Sequence, residues 1–302
     1  MKLAPQIQHP LENQYVNLST RFDAEYGILW TLVNQVDIPC VTYGLLNDLG
    51  HHHQAIGHSG GRIRSSENVY DIRYSVMASI TPGVFNLGGQ LSLFRKMIQE
   101  QNREVLLQYA TKCIDVIMPR IDHFHLPLTT ITLIQGDALG GGLEAALVSD
   151  IIIAEKGCQM GFPEILFNLF PGMGAYSLVA RKIGTRQAER MILSGKVYSS
   201  EELYEMGLVD VLAEVGQGEY AVYDYIEKND RRSNGFRAVQ QARQIFSPVT
   251  YKELMDITTI WVDSALKLSD KDLKVMERFV RTQEKRFAKP QTQIQPTQSK
   301  VA

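Results

Sequence analysis

Ile131-Thr-Leu-Ile-Gln135 leads into Gly136-Asp-Ala-Leu-Gly-Gly-Gly-Leu-Glu144, and twenty positions beyond Glu144 comes Gly161-Phe-Pro-Glu164, then Pro171-Gly-Met-Gly174. The first half reads as strand, glycine turn and helix. Gly140, Gly141 and Gly142 let the backbone approach a ligand closely where a helix begins, and the unpaired N–H groups of a helix start favour developing negative charge. Such a turn is a seat for an oxyanion. Glu144 falls early in the new helix and Glu164 on a turn after the next strand, so two carboxylates are expected to converge on one small volume. Two such groups divide acid and base duties when their surroundings set different pKa values.

Each piece has an ordinary reading as well. Glycine-rich turns also hold phosphates, but neither G-x-x-x-x-G-K-[ST] nor G-x-G-x-x-G is present, which argues against a nucleotide site. A Glu in a first helical turn also serves as a partner of the helix dipole. Pro163-Glu164 alone reads equally as a surface turn.

Taken together, Gly136 to Glu144, the apolar run Ile151-Ile-Ile-Ala154, Phe162-Pro-Glu-Ile165, Pro171-Gly-Met-Gly174 and Gly207-Leu-Val-Asp210 resemble the crotonase (enoyl-CoA hydratase/isomerase) superfamily in order and spacing, over roughly residues 14 to 212. Within it the chain is most similar to the diffusible signal factor synthases, bacterial enzymes that make cis-2-unsaturated fatty acid signals. Tyr26-Gly-Ile-Leu-Trp30 and Ser92-Leu-Phe94 contribute to that likeness. The resemblance implies an α/β fold, a spiral of ββα units with a C-terminal helical oligomerisation region, and trimers or hexamers. It implies Glu144 and Glu164 as the catalytic carboxylates.

A second glycine turn, Phe85-Asn-Leu-Gly-Gly-Gln-Leu91, resembles the family's F-x-A-G-x-D-L segment, with Leu in place of Ala and Gln90 in place of Asp. By that resemblance the backbone N–H groups of Leu87 and Gly141 form the oxyanion hole. The implied substrate is a 3-hydroxyacyl thioester carried by acyl carrier protein or CoA, which would be dehydrated and then hydrolysed. A conventional enoyl-CoA hydratase or isomerase is the nearest rival, and a non-catalytic acyl-binding regulator another. Family synthases also bind sensor proteins of their signalling system, so a regulatory partner is expected. Where classical members carry basic residues for CoA phosphates, this chain has Ile38-Pro-Cys40.

Composition fits these expectations. The chain has 302 residues, 44% hydrophobic, with a formal charge of −2, enough to bury a large core. Lys and Arg are scattered among acids, as at Arg181-Lys182, which reads as solvated surface and gives no footprint for nucleic acid. Cys40, Cys113 and Cys158 lack C-x-x-C spacing, pointing to a reducing compartment. No apolar run approaches the ~20 residues of a membrane span, and the first ten residues lack an apolar signal core. A soluble, cytoplasmic protein without membrane insertion is expected.

Four regions are expected: an N-terminal extension (1–13), the spiral core (14–212), a C-terminal helical region (213–288) and a disordered tail (289–302). Strands are read at Tyr15 to Ser19, Gly27 to Val33 and Tyr74 to Ile80, with helices from Thr42 to Ile56 and Gln99 to Ile121. From Thr185 the pattern is almost wholly helical, with a capping box at Ser199-Ser-Glu-Glu202. Met173 and Trp261 are candidate walls of an acyl pocket. His51-His-His53 cannot all face one ion from a helix and reads as surface. The chemistry calls for no metal and no cofactor.

Overall fold

The computed structural model describes residues 15–35, 38–65 and 68–288; the expected N-terminal extension and tail lie outside them. In chain order, β1 (Leu18–Asp23) and β2 (Ile28–Val33) are followed by α1 (Tyr43–His58), β3 (Arg62–Arg64), β4 (Val69–Asp71), β5 (Tyr74–Ser79) and β6 (Val84–Asn86). Helices α2 (Leu91–Gln99) and α3 (Arg103–Ile121) precede β7 (Thr129–Ile134), β8 (Asp137–Leu139) and α4 (Gly141–Leu147). Then come β9 (Ile151–Glu155), β10 (Gln159–Gly161), a 3-10 turn at Pro163–Phe167, α5 (Ala175–Ile183), α6 (Thr185–Ser194), β11 (Val197–Ser199), α7 (Ser200–Glu205) and β12 (Val211–Ala213). The last described helices are α8 (Gly218–Asp230), α9 (Ser233–Phe246), α10 (Tyr251–Ala265) and α11 (Asp270–Ala288).

Two sheets organise the chain, ordered β1-β2-β5-β7-β9-β12 and β11-β10-β8-β6. Successive turns of chain give one strand to each: β5 then β6, β7 then β8, β9 then β10. Helices follow, producing the α/β spiral of ββα units that the resemblance implies. In the first sheet β2 through β12 pair in parallel, and such strands are covered on both faces. Accordingly all six residues of β7 are buried. Its hydroxyls are satisfied: Thr130 donates to Asp150 at 3.1 Å, and Thr132 bonds Ser149 at 2.8 Å. Buried Arg120 donates to Ser75, Ser149 and the Ile131 carbonyl, fastening α3 to β5 and β7.

Several expected elements move. β1 lies at Leu18–Asp23, later than the expected Tyr15 to Ser19, because Asp23 pairs with Ile28 across a tight turn. The expected Gln99 to Ile121 helix breaks at Gln101, where φ is +51°, and α3 restarts under Asn102, whose side chain caps the Val105 N–H. The region beyond Thr185 is not wholly helical: β11 and β12 each complete a sheet. The Ser199–Glu202 capping box forms with both hydrogen bonds. Arg181, expected as solvated surface, instead holds Glu253 with two 2.8 Å bonds and ties α5 to α10.

The glycines at the start of α4 bring the turns after β6 and β8, neighbours in the second sheet, into contact. A Cβ on Gly142 would lie 2.1 Å from the Asn86 carbonyl oxygen of β6, so the helix touches the strand backbone to backbone. Gly142→Ala is expected to destabilise the fold by about 3 kcal/mol, the upper range for overpacking, read as a lower urea midpoint with an unchanged m-value.

Candidate active site

Glu144 projects from the first turn of α4 into the interior and is 2% exposed. Its Oε1 accepts the N–H groups of Met173 at 2.7 Å and Ala175 at 2.9 Å, so the Pro171-Gly-Met-Gly174 loop and the start of α5 are organised around a carboxylate. Burial pushes Glu144 up to about 7, against the lowering pull of those two bonds. Glu164 comes from the 3-10 turn after β10. Its Oε1 lies against Gly140, where an added Cβ would meet it at 2.3 Å and φ is +51°, so only glycine serves there. Its Oε2 has no hydrogen-bond partner among the described residues. Burial, then the charge of Glu144, pushes Glu164 up to about 8. Both carboxyls are thus pushed toward neutrality, the range in which a pair can offer one acid and one base.

Leu87, the expected anion donor, is corrected: its N–H is already donated to the Pro39 carbonyl at 2.7 Å. Gly89, two residues on, is the candidate in its place. The Val41 N–H binds the Gly88 carbonyl at 2.8 Å, and in a planar trans peptide that directs the Gly89 N–H the opposite way. The opposite way is toward Gly141: a Cβ on Gly141 would lie 3.4 Å from the Gly89 nitrogen. Gly141 opens α4, ahead of the intrahelical hydrogen bonds. Two neighbouring N–H groups thus face one space, the arrangement that stabilises an oxyanion.

That space is a cavity of about 50 Å3 whose lining includes Gly89, Gly141, Glu144, Glu164, Met173 and Trp261. Met173 and Trp261 stand on its wall. The remaining wall is mostly apolar, with Phe94, Phe167 and Leu169 among it. Gln283 of α11, 5% exposed, donates to the carbonyls of Leu87 at 3.0 Å and Gly89 at 3.1 Å, so the last helix steadies the loop that carries the first N–H. Among the described residues no cluster of three or more His, Cys, Asp or Glu is placed to hold a metal.

Residues 64–290 match the enoyl-CoA hydratase/isomerase family. The chain belongs to this family. Its curated relatives include the mitochondrial methylglutaconyl-CoA hydratase of Mus musculus, 34% identical over 152 residues that make up 50% of this chain and 46% of that protein. A probable enoyl-CoA hydratase of Bacillus subtilis is 32% identical over 127 residues, 42% of this chain and 47% of that one. The matched segments thus span about half the length of these relatives. Among solved structures, enoyl-CoA hydratase from Bacillus halodurans aligns with a TM-score of 0.72 at 19% identity, covering 87% of this chain and 99% of that one. DspI of Pseudomonas aeruginosa aligns at 0.61 with 24% identity, covering 76% and 86%. At such identities the likeness is one of fold.

The hydratase/isomerase match runs through the C-terminal helices, well past the expected boundary of resemblance at 212. The described histidines stand apart from the cavity. His52 and His53, read as surface, are 0% and 3% exposed: His52 meets Thr31 at 2.8 Å and His53 the Val116 carbonyl at 2.9 Å. Burial and the neighbouring His52 hold His53 well below its ordinary pKa, hence neutral. His123 pairs with Asp150 at 2.9 Å.

Two outcomes follow from this geometry. Both carboxyl pKa values are raised in the fold, so their stabilising protons are fully in place below the ordinary carboxylate pKa and are lost as pH rises through about 7 to 8. Glu164→Gln keeps a neutral group, and its melting temperature relative to the unsubstituted protein is expected to rise between about pH 5 and about pH 9; an unchanged difference would contradict the buried-pair assignment. Gln283→Ala removes both holds on the anion loop and is expected to lower kcat about tenfold with a smaller change in KM, as for a group that positions a transition-state contact.

Proposed function

We propose that this family member dehydrates a medium-chain 3-hydroxyacyl thioester and then hydrolyses it, releasing a cis-2-unsaturated fatty acid of the diffusible signal factor type. The observation that carries this reading is a pair of buried, proton-holding carboxylates beside two glycine N–H groups in an otherwise apolar cavity. The thioester oxygen would sit between the N–H groups of Gly89 and Gly141. One carboxylate removes the α-proton, the enolate charge is held by the two N–H groups, and the other carboxyl protonates the departing hydroxyl, yielding a 2-enoyl thioester and water. A water then attacks the thioester carbonyl with a carboxylate as base. The tetrahedral oxyanion uses the same two donors, and the carrier thiol departs with a proton.

Support for the synthase branch is the sequence likeness to diffusible signal factor synthases, and support for a protein carrier is the apolar Ile38-Pro-Cys40 where CoA binders place cations. A conventional enoyl-CoA hydratase is the second reading, favoured by relatives whose names specify CoA substrates. Assembly as a homotrimer or hexamer and docking of a sensor protein belong to the synthase reading.

Purified protein given 3-hydroxydodecanoyl thioesters of acyl carrier protein and of CoA separates the readings by mass spectrometry. Free 2-enoic acid from the carrier-protein substrate is expected, falling at least ~10²-fold in Glu144→Ala and in Glu164→Ala. Reversible hydration of enoyl-CoA without thioester cleavage would establish the hydratase instead. Turnover untouched by both substitutions would remove the carboxylates from the mechanism.

A further inference from the structure

A second cavity, also about 50 Å3, lies behind the first, between β2, β5, α1 and α3. Its lining includes Val33, Leu45, Leu46, Leu49, Met77 and Ile117. The polar lining residue, Asn86, has its Oδ1 engaged by the Gly88 N–H at 2.8 Å. Cys113 and Met173 belong to the walls of both cavities. These two side chains thus stand where the cavities adjoin.

The two residues differ in what they can do. Cys113 is 1% exposed on α3, burial holds its thiol protonated, and its short side chain has nowhere to swing. Met173 is half-buried, unbranched and rotatable about three bonds, while its backbone N–H stays fixed on Glu144. Its methyl lies over Gly141, close enough that a Cβ there would meet it at 2.6 Å. The side chain can therefore move without disturbing the carboxylate. Either cavity alone is well under the ~300–1,000 Å3 typical of ligand sites. An apolar void of this kind stays dry and suits an alkyl terminus better than any polar group.

We infer that Met173 is a swinging partition, and that the far end of the acyl chain passes it and Cys113 to fill the cavity lined by Leu46, with the thioester end at Gly89 and Gly141. The inner cavity then sets chain length. This deepens the acyl-thioester reading above and rests on it. Chains too short to reach Met173 draw nothing from the inner cavity, whereas each methylene beyond it tightens binding about fourfold.

The test uses inert amide analogues of the thioester, hexanoyl and dodecanoyl, on pantetheine, with binding measured by calorimetry so that no turnover is needed. Leu46→Phe fills the inner cavity and is expected to weaken dodecanoyl relative to hexanoyl binding at least tenfold. Leu46→Ala enlarges it and is expected to favour a tetradecanoyl amide over dodecanoyl, which keeps the question answerable if the larger side chain prevents folding. Equal dodecanoyl preference in both folded variants and the unsubstituted protein would overturn the inner subsite and place the chain under Trp261. Amide binding by a protein that releases no 2-enoic acid from the 3-hydroxyacyl thioesters would refute the proposed reaction and leave the subsite standing; failure of every amide to bind would remove the subsite.

Discussion

The Asn86 carbonyl resting on the Cα of Gly142 is the contact on which the cavity depends. A ββα spiral brings the end of β6 and the start of α4 together only if neither backbone carries a side chain between them, and Gly142 meets that condition. With the two chain reversals in contact, the N–H groups of Gly89 and Gly141 share one space. Glu144, three residues along the same helix, is then aimed into it. The loop after the 3-10 turn and the start of α5 wrap that carboxylate with two N–H groups, which fixes the backbone of Met173, one of the two residues common to both cavity walls.

Burial works in two directions at this site. Excluding water makes each charged carboxylate costly, which raises both pKa values toward neutrality, and the same exclusion strengthens hydrogen bonds from fixed N–H donors to a developing anion. The apolar walls supplied by Phe94, Phe167 and Trp261 therefore tune the titrating groups as well as enclosing the cavity. Glu144 is helped by two backbone donors from another loop and Glu164 only by its own N–H, so the two like groups sit in unlike surroundings. Division of labour between identical side chains begins with that asymmetry.

Local chemistry made the central turn legible in the sequence. Three glycines, a strand before them and a Glu at helical distance are all neighbours along the chain, and their spacing survives folding intact. What depended on distant partners was not legible. Leu87 was the expected donor, yet a carbonyl contributed by Pro39 claims its N–H and shifts the free group to Gly89; the glycine itself was visible, its peptide orientation was not. His52 and His53 read as surface because Thr31 and the Val116 carbonyl, which accommodate them, come from other elements. β11 and β12 span three residues each, too short for any period to stand out between helices, and exist because neighbouring strands offer unpaired edges. Gln283 carried no local signal at all, being separated from Leu87 by 196 positions.

That last separation has a meaning for biosynthesis. Chains emerge from the ribosome amino end first, and early segments fold as they appear. The spiral, both carboxylates and both glycine turns are outside the exit tunnel while α11 is still being made, so the loop at Gly89 lacks its hold from Gln283 throughout that interval. The parts of the cavity are thus made before the loop at Gly89 is fastened, and the last described helix acts as a late fastening for them.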